Sequence, residues 1–172
     1  TLTTLQSAGV SITRFTGNVY WSSSEYSGTY AWVVTYNGYL SLTNGSKTYN
    51  GYVREVMSFT LPAQTLRYKI GDRITQNGQT GVLCYIADDN HTGWMVDMSD
   101  RPSTYPWGTA TAVSGLSNIA EPTDYTWHAW LPVTADTSGY ANTLAMRGSN
   151  CPAAYAVDFA NGWYLPTTGQ MI

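Results

Sequence analysis

Apolar and polar positions alternate along much of the first sixty residues, the period of half-buried strands rather than of helices. The stretch AWVVTYNGYLSLT, 31–43, is centred on Asn37-Gly38. Asn-Gly tolerates the positive φ of both central positions of a type I′ turn and so predicts a two-residue hairpin loop. In that register Tyr36 faces Tyr39, Val34 faces Ser41 and Trp32 faces Thr43. One side of the hairpin then carries those six residues, and the other carries Ala31, Val33, Thr35, Leu40 and Leu42. The aliphatic side is the expected core and the aromatic-hydroxyl side the expected binding surface. Further Asn-Gly pairs at 44–45, 50–51, 77–78 and 161–162 predict further turns.

A strand is expected over 52–59, then a linker or surface loop over 60–66. Strands follow near 69–75 and 81–87 around Asn77-Gly78, and a third over 93–98. The apolar run Val82-Leu83-Cys84-Tyr85-Ile86 has the look of a buried strand, which makes Cys84 a core thiol. From 101 to 142 periodicity is weak, and Trp107, Trp127 and Trp130 stand among small and polar residues as expected anchors of an irregular region. Helix is expected within 143–160, where Pro152 limits a start, and again after Pro166, over 167–172.

Composition adds a functional reading. Seven of the fourteen tyrosines fall between Tyr20 and Tyr52, interleaved with Ser, Thr, Asn and Gly, and only Glu25 and Lys47 carry charge there. Tyr gives a large amphipathic contact face at low rotamer cost, and Ser, Asn and Gly give adaptable hydrogen bonding. The same residues also suit solvated hairpins. At 172 residues one domain is expected, burying about 70% of its unfolded surface. Eight scattered cations and a net charge of −3 form no phosphate-binding patch, which argues against nucleic acid. No apolar run has the length of a membrane span, and no signal segment opens the chain. A start at Thr1 is expected for a processed or excised piece, and secretion stays open.

Catalytic and metal chemistry find little support. His91 follows Asp88-Asp89-Asn90, a polar turn, and His128 lies among tryptophans as an expected structural residue. Two isolated His and two isolated Cys do not make a zinc pattern. Cys84 and Cys151 are either a disulfide or two buried free thiols. Asp88 with Asp89, or Glu121 with Asp124, would supply only part of a calcium shell. Glu25 is expected to make a structural hydrogen bond or to pair with Arg54. Asn44-Gly-Ser46 and Asn90-His-Thr92 match the glycosylation sequon, a pattern that also arises by chance.

Some segments match a known family once the chain is read from its end into its start. Gly162-Trp163-Tyr164-Leu165-Pro166 precedes a helix that would continue through Met171, Leu2 and Leu5. Tyr20-Trp21-Ser22-Ser23-Ser24-Glu25-Tyr26, then Ala31-Trp32 and Val53-Arg54-x-Val56, follow it. These motifs resemble the C-type-lectin-like modules of gut-bacterial surface proteins, which are distantly similar to the formylglycine-generating enzyme fold. Gly71-Asp72, Asn77-Gly78 and Gly81-Val82 look like the module's opening hairpin.

The resemblance covers most of the chain in circularly permuted order: 1–59 matches the family's C-terminal part, 60–66 is the linker and 67–172 matches its N-terminal part. A permuted gene, a frame cut from a tandem array, or a module completed by its neighbour would each explain that order. The resemblance implies one α+β domain of the C-type-lectin-like fold, with two helices, small antiparallel sheets and long irregular loops, permuted within the second helix.

It also implies a bacterial cell-surface or extracellular location and a non-catalytic, adhesin-type binding role. Some members are variable proteins of diversity-generating retroelements, whose mutagenesis scatters Asn, Ser, Thr and Tyr through the ligand-binding face. The stretch 26–52 occupies the matching place. The Glu-Pro-Asn of calcium-dependent lectins is absent, since Thr123 follows Glu121-Pro122, and paired catalytic cysteines are absent too. No cofactor and no metal are expected.

The expected partner is a protein or glycan, met by Tyr26, Ser27, Thr29, Tyr30, Trp32, Tyr36, Tyr39, Ser41, Thr43, Asn44, Ser46, Thr48, Tyr49, Asn50 and Tyr52. The rival reading is a structural subunit or repeat of a surface fibre, with self-association or a neighbouring domain completing it.

Overall fold

Asn77 and Gly78 sit at φ +52° and +77°, the positive pair that a type I′ hairpin demands, and Gln76 pairs with Gln79 across them. That predicted turn opens a four-stranded antiparallel sheet in the computed structural model, which describes residues 19–36, 40–60, 68–89, 91–119 and 133–171. The sheet has the order β5-β8-β7-β6, with β5 Val56–Thr60, β6 Arg73–Gln76, β7 Gln79–Ile86 and β8 Thr92–Val96. The second sheet, β1-β2-β3, is built from β1 Val19–Glu25, β2 Tyr30–Tyr36 and β3 Leu40–Ser46. A short ladder joins β4 Asn50–Gly51 to β9 Tyr105–Pro106. Three helices follow: α1 Gly139–Arg147, α2 Pro152–Ala156 and α3 Thr168–Met171. The architecture is thus α+β, with small antiparallel sheets and few helices.

Side-chain alternation explains the layers. Met57 and Phe59 on β5 point with Leu83, Met95 and Ile74 into one cluster closed by Trp163. On the opposite side, Val56, Val82, Cys84 and Val96 meet Tyr20 and Val34 of the three-stranded sheet, with Tyr164 and Met171 between them. The other face of that sheet buries Trp21, Ala31 and Val33 against Met146 of α1, Ala153 and Ala154 of α2, and Trp107. The three-stranded sheet is therefore covered on both faces over much of its length.

Irregular backbone is anchored by indole N–H groups, each donating to a protein oxygen. Trp107 donates to Ser22 O at 2.7 Å, Trp32 to Ile119 O at 2.6 Å and Trp21 to Tyr105 O at 2.8 Å. The predicted role of Trp107 holds; Trp127 and Trp130 lie outside the described residues. The loop expected over 60–66 also lies outside them beyond Thr60, and so do His128 and the Glu121–Asp124 pair.

Segments far apart in sequence converge. Val56 and Tyr164 exchange backbone hydrogen bonds at 2.9 and 2.8 Å, and Ser23 N donates to Pro166 O at 2.7 Å. Ser24 Oγ donates to Asp136 Oδ2 at 2.6 Å and accepts from Thr168 N at 3.2 Å. The serine run is thus a buried joint, not an exposed hydroxyl patch.

Several expectations change. The strand expected over 52–59 begins only at Val56, because Arg54 turns inward to Asp100 at 2.6 Å and interrupts the alternation. Helix begins at Gly139, four residues early, where Asp136 accepts Ser138 N at 3.0 Å. It breaks at Gly148 before restarting at Pro152, a favoured first helical residue. Asn161-Gly162 is not a hairpin turn; Gly162, at φ +93°, ends a 3₁₀ turn over Phe159–Asn161. The helix after Pro166 forms as expected from Thr168, and its continuation into 1–6 lies outside the described residues.

Both cysteines are free, buried thiols, which resolves that alternative. Burial pushes the Cys84 thiol up to about 12 and that of Cys151 up to about 11. The fold therefore holds protons that the unfolded chain releases, so their stabilisation is present at neutral pH and is lost as pH rises above roughly 9. Each unit of that rise is expected to remove up to about 1.4 kcal/mol through Cys84 alone. Ellman's reagent at pH 8 should label neither thiol in the native protein and both in urea.

Candidate ligand-binding groove

Two rows of β-branched and hydroxyl residues meet on one face of the three-stranded sheet. Val19 pairs with Thr35, Trp21 with Val33, Val33 with Thr43 and Thr35 with Ser41. Directly opposed residues share a face, so Val19, Trp21, Val33, Thr35, Ser41 and Thr43 stand together. This face opens into a concave groove of about 400 Å³ that runs from Val19 and Thr35 to Gly45 and Ser46. Tyr49 and Asn50, from the turn after β3, line it together with Tyr30, Asn44, Gly45 and Ser46. Trp21 and Val33, each about 1% exposed, form its floor.

The sequence misleads on register here. Tyr36 pairs with Leu40, which leaves three residues between them instead of two. A one-residue slip exchanges the faces of an entire strand. Ser41 and Thr43 consequently join Ala31, Val33 and Thr35, while Trp32 and Val34 join Leu42 and Asn44. Trp32, expected at the ligand surface, is fully buried instead. The irregular segment lies over it: Ile119 N donates to Glu25 O at 2.8 Å, and Tyr26 packs edge-on at 5.3 Å.

Of the expected contact residues, Tyr30, Thr43, Asn44, Ser46, Tyr49 and Asn50 come together in the groove. Tyr49 is the most open aromatic among the described residues, 71% exposed, and Tyr30 is 42% exposed. Tyr26, Ser27, Thr29, Ser41, Thr48 and Tyr52 do not line it. Ser27 Oγ accepts from Tyr30 N at 3.2 Å and shapes the β1–β2 turn. Tyr52 leans on Tyr20 with ring centroids 5.6 Å apart. Tyr39 lies outside the described residues, as does the side chain of Tyr36.

Val19, Trp21, Val33, Thr35 and Gly45 line the groove without having been expected there. Asn44-Gly45 and Asn50-Gly51 are not turns at all: Gly45 lies within β3 and Gly51 within β4. A Cβ on Gly45 would stand 3.2 Å from the Trp21 ring, and one on Gly51 would stand 2.6 Å from Trp21 Nε1. Both glycines make room for the indole. Their signal was present in the sequence as two Asn-Gly pairs too close together to be separate hairpins.

Glu25 and Lys47, the two charges of the tyrosine-rich stretch, pair with each other in the interior and not with Arg54. Lys47 Nζ donates to a Glu25 carboxylate oxygen, to Gly28 O at 2.9 Å and to Thr111 O at 2.8 Å, and stands 4.7 Å from the centre of the Trp107 ring. Glu25 Oε1 also accepts Val113 N at 2.9 Å. The Lys47 backbone donates to Thr29 O and accepts from Gly108 N, each at 3.1 Å. One buried residue thus fixes the turn carrying Tyr49 against the turn carrying Tyr30. Formal charge is withdrawn from the groove, whose described lining is uncharged.

Among the described residues no three His, Cys, Asp or Glu side chains gather as a metal cluster. Asp89, in the β7–β8 turn, accepts from His91 N at 2.8 Å and from Thr92 N at 2.9 Å, and these bonds hold its carboxyl below the usual range. His91 therefore belongs to a polar turn, as its neighbours suggested. No helix among the described residues is long and apolar enough to cross a membrane. No family model, curated protein or solved structure matches the chain.

Proposed function

We propose that this chain is a non-catalytic ligand-binding module of C-type-lectin-like type, displayed by a bacterium at its surface in an adhesin-like role. The observation that carries the reading is the groove: open tyrosines, hydroxyls and an amide over a tryptophan floor, with no charge among the described lining residues. Concave sites with an apolar body and a few placed polar groups are the usual form of a binding site.

The lectin-like part of the reading has its own support. Tyr-Trp-Ser-Ser-Ser-Glu, Trp-Tyr-Leu-Pro and Val-Arg-x-Val, which lie apart in sequence, are joined by the Ser23–Pro166 and Val56–Tyr164 hydrogen bonds. Phe59 and Tyr68, which flank the segment 61–67, belong to one core cluster, so a short linker closes a permuted order easily. The tyrosine-rich stretch then supplies the ligand face, in keeping with a variable protein of a diversity-generating retroelement.

A screen of surface proteins and glycans with wild type beside Tyr49→Ala tests this reading. Tyr49 is mostly exposed, so the variant should melt within about 2 °C of wild type and lose the hit. A hit kept intact by Tyr49→Ala would move the site elsewhere. A mass that rises with concentration and no ligand at all would favour the fibre-subunit reading.

A further inference from the structure

We infer that the groove takes a neutral pyranose of a glycan, stacked on Tyr49 and bound without a metal; this rests on the binding-module reading above. Three features of the site point to that chemistry.

The first is charge. The one cation of the turn, Lys47, is turned inward onto Glu25, Gly28 O and Thr111 O. No described side chain at the groove can answer a carboxylate, sulfate or phosphate, and none of them can pair with a basic peptide. Burying an unanswered charge costs several kcal/mol, so an ionic ligand is rejected. An uncharged one is not.

The second is the aromatic surface. Tyr49 offers an open ring at the rim, above the buried floor of Trp21 and Val33. The face of an aromatic ring is electron-rich. The axial C–H groups of a pyranose carry slight positive charge and lie in one plane, so they match such a face through many weak contacts.

The third is the polar lining. The side chains of Thr43 and Asn50 make no hydrogen bond to any described residue, whereas Ser46 and Thr48 satisfy each other at 3.1 Å. A primary amide and a hydroxyl thus remain available, offering donors and acceptors together. Adjacent sugar hydroxyls require that mixture, since each both donates and accepts. A volume of about 400 Å³ sits at the low end for small-ligand sites and suits one or two sugar rings better than a protein surface.

Saturation-transfer NMR and calorimetry would test this. The probes are oligosaccharides ending in glucose, galactose, mannose or N-acetylglucosamine, beside sialylated and sulfated forms of the same chains. At least one neutral probe should bind roughly tenfold more tightly than its acidic form, with affinity unchanged by EDTA or 0.5 M NaCl. Tyr49→Ala and Asn50→Ala should each weaken it roughly tenfold, and transfer should be strongest to protons on one ring face. Preference for the acidic probes, or loss of binding in EDTA, would overturn the inference. A protein ligand lost in Tyr49→Ala, with no sugar bound, would overturn it and leave the binding-module reading standing. Indifference of every ligand to both substitutions would sink the two together.

Discussion

Lys47→Met is expected to lower the free energy of unfolding by about 3–5 kcal/mol, because it leaves the Glu25 carboxylate buried without its cation. The loss should exceed that of Glu25→Gln, which keeps an acceptor for Val113 N and removes only the charge. The double variant Glu25→Gln/Lys47→Met should therefore be more stable than Lys47→Met alone. It should still fall short of wild type, since Gly28 O and Thr111 O lose their donor. Urea unfolding of the four proteins, read as a double-mutant cycle, measures the coupling. A loss under about 1 kcal/mol in Lys47→Met, the size typical of an exposed ion pair, would show that the pair does not hold the interior together.

Gly51→Ala should cost about 1–3 kcal/mol through overpacking. The added methyl would lie 2.6 Å from Trp21 Nε1, and the indole cannot yield without breaking its 2.8 Å bond to Tyr105 O. Gly78→Ala is the control of opposite kind. Its site is open, but its φ of +77° disfavours any Cβ, for about 1 kcal/mol. The two variants should separate on ligand binding. Displacing Trp21 deforms the groove floor, whereas Gly78 turns a hairpin in the other sheet. Equal binding by both variants would mean that the indole does not shape the site.

The same pair of glycines shows what the sequence could and could not reveal. Asn77-Gly78 was legible because its signal is local: two residues that tolerate positive φ, flanked by strand-forming neighbours. Gly45 and Gly51 carry the same letters for a tertiary reason, the width of a tryptophan ring that arrives from twenty or thirty residues away. The buried thiol of Cys84 and the helix after Pro166 were legible for local reasons also. Register was not, because one extra loop residue reverses both faces of β3 while leaving its composition unchanged. Six groove residues were anticipated from their chemistry, and Trp32 was misplaced by that slip. The partner of Glu25 was missed because charge pairing in an interior depends on topology, and Lys47 reaches it only after β2 and β3 have turned back.

Closing β1 onto the turn before α3 also sets the order in which this chain can fold. The contact between Ser24 and Thr168 spans 144 positions, and contacts that distant form late because a long loop must first be closed. The meander β6-β7-β8 closes through short turns and is ready as soon as it is made. Strand β1 can pair with β2 at once, yet its contacts with the segment before and within α3 wait until residue 168 has emerged. In the interval Tyr20, Trp21 and Val33 lack the cover that 139–171 will bring, a window for misassociation. A version of the chain opened at the linker, with 133–171 made before β1, would shorten that wait and should refold faster with the same final structure.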